Sequence, residues 1–170
     1  MANSSIIRKA KNKIIKEFIK DQDIIDAINS STVKSNEPEK LFRTHIFDYN
    51  QNPHTLKIVG TFITIQVHIP QAYYNDYYNS NNIIIKPTIE IWIISHENHM
   101  KVDNIPKVTQ NRNDYLSELI DRKINGKSGF GIGDTKLLSN IEGAFQQDYL
   151  FRKMIIECKD FNWSLCEDED

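Results

Sequence analysis

The chain has 170 residues, 39% hydrophobic and 26% charged, the balance of an ordinary globular protein with one core rather than of a disordered or fibrous one. Its 21 basic and 23 acidic side chains leave a formal charge of -2, which argues against a surface that is basic throughout and built for polyanions. Cys158 and Cys166 supply neither a disulfide framework nor a zinc spacing. The opening MANSSIIRKAKNK lacks a signal-peptide core and no apolar run approaches the roughly 18 residues of a membrane span, so a soluble intracellular protein without a membrane partner is expected.

Ile7, Ala10, Ile14 and Phe18 recur at helical spacing, with Arg8, Lys11, Lys13 and Lys16 between them and Ser4 or Ser5 placed to cap the start. The basic side reads as a solvated face rather than a nucleic-acid contact, because acids follow it closely. A short second helix is expected from Asp21 to about Asn29, with Ile24, Ile25 and Ile28 inward. In the polar loop that follows, Pro38 disfavours helix at Glu37. Leu41 to Tyr49 (LFRTHIFDY) reads as a short strand or extended segment and QNP as a turn, while Gly60 marks a bulge or bend.

Two alternating runs organise the middle of the chain, Thr61 to Pro70 and Ile83 to Ser95. Ile63, Ile65, Val67 and Ile69 share one parity against Thr64, Gln66 and His68. Ile83, Ile85, Ile89, Ile91 and Ile93 share one against Lys86, Thr88, Glu90 and Trp92. This is the period-2 pattern of half-buried strands, and the runs are read as the central antiparallel pair of a sheet. The intervening QAYYNDYYNSNN exceeds the usual hairpin loop of about 2 to 5 residues. Its Tyr73, Tyr74, Tyr77 and Tyr78 suit a protein-contact surface, because tyrosine offers contact area at low entropic cost; equally, two of them could simply cover the sheet edge.

After a loop at HENHMKVDN, Leu116, Leu119, Ile120 and Ile124 form one helical stripe, with Asn113 as cap and Gly126 as stop. The glycine-rich GKSGFGIGD follows, with Phe130 and Asp134 as further candidate contact residues. Thr135 to Ser139 reads as a short strand and Asp148 to Phe161 as another, with Leu150, Met154, Ile156 and Cys158 on one parity. The expected class is α+β, a mostly antiparallel β-sheet with an N-terminal helix and a central helix packed on it. Residues 1–162 are read as a single domain and residues 163–170 as an acidic C-terminal tail.

The chemical signals are weak. His96 and His99 in HENH are spaced i, i+3, whereas two zinc-binding rings on a helix need i, i+4. Glu157-Cys158-Lys159 has the E-x-K form of restriction-endonuclease-like nucleases, for which Asp134 or Asp148 would have to supply the second acid. GKS follows a helix and lacks the upstream glycine of a phosphate loop. These patterns nominate no catalytic residue, no metal ligand and no cofactor.

The N-terminal helix, FDYNQNP, the strands TFITIQVHIP and PTIEIWIIS, the helix NDYLSELIDRKING and the late strand YLFRKMIIECKDF together resemble the neck proteins of tailed bacteriophages, closest to the tail terminator (tail completion) family. The resemblance spans roughly Ile6 to Phe161 and lies in element order and strand texture. It implies a structural virion protein without enzymatic activity, assembled in the host cytoplasm as a homo-oligomeric, typically hexameric ring. Such a ring caps the tail tube protein and joins it to the head connector or stopper, and DNA passes through its lumen without sequence-specific binding. Carried onto this chain, Tyr73 to Tyr78 and Gly126 to Gly133 are the candidate loops toward neighbours. A head-closure or connector adaptor at another neck position, a small Mg²⁺-dependent nuclease using Glu157 and Lys159, and a monomeric binding module are the alternatives.

Overall fold

Alternation of isoleucine with polar residues builds the centre of the molecule, which among the described residues is a five-stranded sheet whose apolar parity is sealed by three helices. The computed structural model describes residues 3–56, 58–68, 87–128 and 134–158, with side chains from residue 7 onward. In chain order the elements are α1 (Asn3–Lys20), α2 (Gln22–Ile28), β1 (Ile46–Phe47), β2 (Thr61–His68), β3 (Thr88–His96), α3 (Arg112–Ile124), β4 (Thr135–Phe145) and β5 (Tyr149–Cys158). The strand order is β1-β2-β3-β5-β4. Among the described strands β1 runs parallel to its neighbour β2 and the other strand pairings are antiparallel. The protein is thus α+β, a mostly antiparallel sheet with an N-terminal and a central helix packed on it.

The two organising runs pair as expected, Ile63 opposite Ile93 and Ile65 opposite Ile91. On the next strand Ile89 faces Ile156 and Ile91 faces Met154. These residues form one inner core with Ile14 and Phe18 of α1, Ile24 and Ile28 of α2, and Leu116, Ile120 and Ile124 of α3. Each fully buried isoleucine contributes about 1.5–3 kcal/mol relative to exposure. The opposite parity is not merely polar. Phe47, Phe62, Ile94 and Tyr149 form a second core there, flanked by Leu56, Ile58, Trp92, Phe145 and Phe151.

Local chemistry accounts for the helix ends. Asp21 caps α2, its Oδ1 accepting from the amides of Asp23 at 3.1 Å and Ile24 at 3.4 Å. Asn29 ends α2 in the left-handed region at φ 49°, where asparagine is tolerated better than most residues. Gly126 follows α3 at φ 71°, as a stop glycine should.

Three expectations need correction. Asn113 does not cap α3: Asn111 does, its Oδ1 accepting from the Asp114 amide at 2.9 Å, while Asn113 is buried. Leu41 to Tyr49 is not one strand. The chain turns tightly there, with Arg43 at φ 66° and the His45 amide bonded to Leu41 O at 2.9 Å, leaving only Ile46–Phe47 as strand. The strand from Thr135 does not stop at Ser139 but runs to Phe145 through a bulge between Leu137 and Ser139. The extra residue breaks the alternation that would have revealed it.

Candidate functional site

One end of β2 and β3 holds a buried chain of polar side chains. Thr61 Oγ1 lies 2.7 Å from Ser95 Oγ and 2.9 Å from His99 Nδ1. Ser95 Oγ donates to Asn113 Oδ1 at 2.6 Å, and Asn113 Nδ2 donates to Leu150 O at 3.0 Å. Ser95 spends its hydrogen on Asn113, and Thr61 has one hydrogen to place between Ser95 Oγ and His99 Nδ1. A serine, a threonine, a histidine and an asparagine together invite a nucleophile reading, yet both hydroxyls are shut away from solvent. With Thr61 and Ser95 fully buried, the chain works as a lock between two strands, α3 and β5.

Burial and the nearby Arg112 charge lower His99 to about 4, so the ring is neutral near pH 7. A second buried histidine, His45, meets Thr61 O through Nδ1 at 2.8 Å and Ser30 Oγ through Nε2 at 2.8 Å; burial lowers its pKa as well, against the carbonyl bond. The carbonyl fixes Nδ1 as donor, leaving Nε2 to accept from serine.

Arg112 anchors the same region from the first turn of α3. It is 1% exposed and donates to three carbonyls at 2.6 Å each: Nε to His99, Nη1 to Ala27 and Nη2 to Lys101. Asn104 Oδ1 accepts two longer bonds from it. The guanidinium fork thereby ties the end of α2 and the chain after β3 to α3, a service no point-charge lysine performs.

Beside this lock lies a cleft of about 350 Å³ between α3 and strands β4 and β5, lined by Asn111, Asp114, Glu142 and Arg152. Arg152 Nε reaches Asp114 Oδ1 at 2.5 Å, and its Nη2 reaches Glu142 Oε2 at 3.5 Å. One cation therefore serves both acids.

The outer face of the sheet carries a charged rung. Glu90 accepts from Trp92 Nε1 at 2.5 Å and pairs with Lys153 Nζ at 3.0 Å, and Lys153 lies 4.9 Å from the centroid of the Trp92 ring. Burial works against the Glu90 charge, but the Trp92 and Lys153 hydrogen bonds and the Lys153 charge outweigh it and lower its pKa.

The sheet then ends on β4. The chain leaving α3 covers its beginning: Leu137 N donates to Asn125 Oδ1, Thr135 N to Lys127 O, and Gly126 N to Thr135 O. Past the bulge, residues 139–145 have a strand on one side only among the described residues. Leu138 and Ile141 are each 52% exposed on this strand. An exposed edge with apolar side chains is a template for pairing with another chain.

The sequence-expected residues divide sharply. Tyr73, Tyr74, Tyr77, Tyr78 and Phe130 lie outside the described residues, as does Lys159. Asp134 is exposed immediately before β4. Asp148 sits in the turn before β5, about 30 Å along the strand from Glu157 at 3.3 Å per residue, so it cannot share an ion with that carboxylate; Asp134 lies at the Glu157 end. The histidines of HENH diverge. His96 Nδ1 accepts from the Asn98 amide at 3.1 Å and its ring packs edge-on against Tyr149, while His99 turns to Thr61. Among the described residues no group of three or more His, Cys, Asp or Glu is placed to hold a metal ion. The Cys158 thiol is buried and pushed up to about 12, by burial and then by Glu157. Sequence reasoning missed Arg112, Leu138 and Ile141. For Arg112 the only available signal was the cap motif NRN, in which the arginine would have to fall at the first helical position.

Among the described residues these elements define a one-sheet α+β protein, sealed by helices on one face, with β4 at one edge of the sheet. The chain belongs to the YomW family, whose model matches residues 12–158. Among curated proteins, none matches the chain.

Proposed function

We propose that this protein is a structural joining protein of a tailed-phage neck, a tail terminator that caps the tail tube and meets the head connector as a homo-oligomeric ring, typically of six. The edge of β4, unpaired past the bulge among the described residues, carries the reading. Residues 139–145 offer backbone groups to a neighbour, and Leu138 and Ile141 offer apolar area beside them. A ring is made by repeating one such heterologous contact until it closes. The element order of the tail terminator family supports the same reading, as does a site region whose polar side chains are spent on one another. DNA passes through the lumen of such a ring without sequence-specific binding.

The test is assembly on purified tail tubes, read by native mass spectrometry and electron microscopy. Wild-type protein is expected to cap tubes as a discrete ring, and Ile141→Glu to remain folded but fail to cap. A wild-type protein that ignores tail tubes and cleaves DNA with Mg²⁺, losing that activity in Glu157→Ala, would overturn the reading in favour of a nuclease.

A further inference from the structure

Helix α1 separates its residues sharply by face. Ala10, Ile14 and Phe18 are at most 3% exposed against the core. At 100° per residue, Lys9, Lys13, Lys16 and Lys20 fall within an arc of about 60° on the far side, in a row about 16 Å long. All four are exposed. Lys9, Lys13 and Lys16 have no ion-pair partner among the described residues, and Lys20 has only Glu17 at 3.8 Å. The flanking Lys11 is spent on Asp48 O at 2.6 Å. The helix holds six basic side chains and one acidic, net +5, in a chain of net -2, so the remainder carries -7. A protein with no use for this stripe would be expected to balance it with acids at i+3 or i+4, which stabilise a helix. Glu17, the one acid of α1, stands at i+4 from Lys13 and at i-3 from Lys20 and of the four lysines comes within 4 Å of Lys20 alone, and Lys9 and Lys16 have no acid at either spacing on the helix.

We infer that the Lys9–Lys13–Lys16–Lys20 stripe is a contact surface for the phosphate backbone of duplex nucleic acid, sequence-independent and salt-sensitive. A duplex presents about one negative charge per 1.7 Å of axis, so a row of about 16 Å meets some nine phosphates, enough to engage every lysine. Lysine suits this role as a mobile point charge that follows a backbone without demanding fork geometry. An anionic membrane fits less well, because the apolar arc of α1 that would have to enter the bilayer interface is buried in the core. The inference does not depend on the neck reading.

Fluorescence anisotropy of the whole protein with a labelled random-sequence DNA duplex of about 20 base pairs tests it. Binding at low salt is expected to weaken with a log–log slope of about -3.6, roughly 150-fold between about 50 and about 200 mM salt. Lys9→Gln, Lys13→Gln, Lys16→Gln and Lys20→Gln combined should abolish binding with the melting temperature unchanged, and each single change should lower the slope by about 1. Removing the same charge elsewhere, by Lys34→Gln, Lys40→Gln, Lys101→Gln and Lys107→Gln, should leave most of the binding in place. Absence of wild-type binding at low salt, equal binding by the two fourfold variants, or binding of poly(glutamate) as tight as that of duplex would each overturn the inference, the last in favour of an acidic protein surface.

Discussion

The two faces of the sheet are held by different physics. The inner face is aliphatic and dry: Ile63, Ile65, Ile89, Ile91, Ile93, Met154 and Ile156 fill one volume against three helices. The outer face is aromatic at one end, where Phe47, Phe62 and Tyr149 cluster, and ionic at the other, where Glu90, Trp92 and Lys153 interlock. Volume filling penalises any lost methylene, whereas a partly solvated rung tolerates change, because exposed or half-exposed ion pairs contribute little. The difference separates the residues that specify the fold from those left available for a neighbour.

The largest effect should come from the seam between the helices and the inner face. Arg112→Ala strands three carbonyls at once and is expected to cost about 4 kcal/mol in urea denaturation. If it costs less than about 1 kcal/mol, the loop after β3 is not anchored by that guanidinium. Next, Ile91→Ala on the inner face should cost about 3 kcal/mol, with partial relaxation of the cavity setting the exact value.

A pH titration of stability comes third. His99 is lowered from 6.5 to about 4 in the folded protein, so below pH 6.5 the unfolded chain takes up a proton that the folded one refuses. Stability should therefore fall as pH drops from about 6.5 to about 4 and level off below, losing about 2 kcal/mol to this group, with a smaller part from His45. His99→Gln should flatten that segment of the curve, whatever it does to stability at neutral pH. Smallest is Ile141→Ala on the open edge, expected below about 0.5 kcal/mol. A cost as large as that of Ile91→Ala would mean that the edge of β4 is built into the core rather than left open.

Much of this architecture was legible in the residues because isoleucine repeated at period 2 leaves little choice of strand face. The parity of β2 and β3 follows from it, and the inward side of α2 and the stripe of α3 follow from apolar residues at helical spacing. Other parts depend on pairings that no local pattern carries. Between two asparagines of NRN, propensity cannot choose a cap. Asn113 is excluded only because Ser95 and Leu150, distant in sequence, claim its amide. LFRTHIFDY has the composition of a strand but folds back on Leu41. The length of β4 was hidden by its own bulge and by Gly143, where a Cβ would stand 2.7 Å from the Phe151 ring; the ring covers a glycine that sequence alone reads as a break. Ile141 looks like any core isoleucine until the strand order makes β4 an edge.

The strand order also dictates when the sheet can close. The central β3 is bounded by β2 on one side and β5 on the other, and the ladder joining Trp92 to Lys153 must shut a long loop before its hydrogen bonds stabilise anything, a topology that slows folding. Because β5 is the last of the described strands to leave the ribosome, a nascent chain ending before Tyr149 holds Ile89, Ile91 and Ile93 on an unpaired edge. That intermediate, rather than the finished protein, is the form of the molecule most exposed to misassembly.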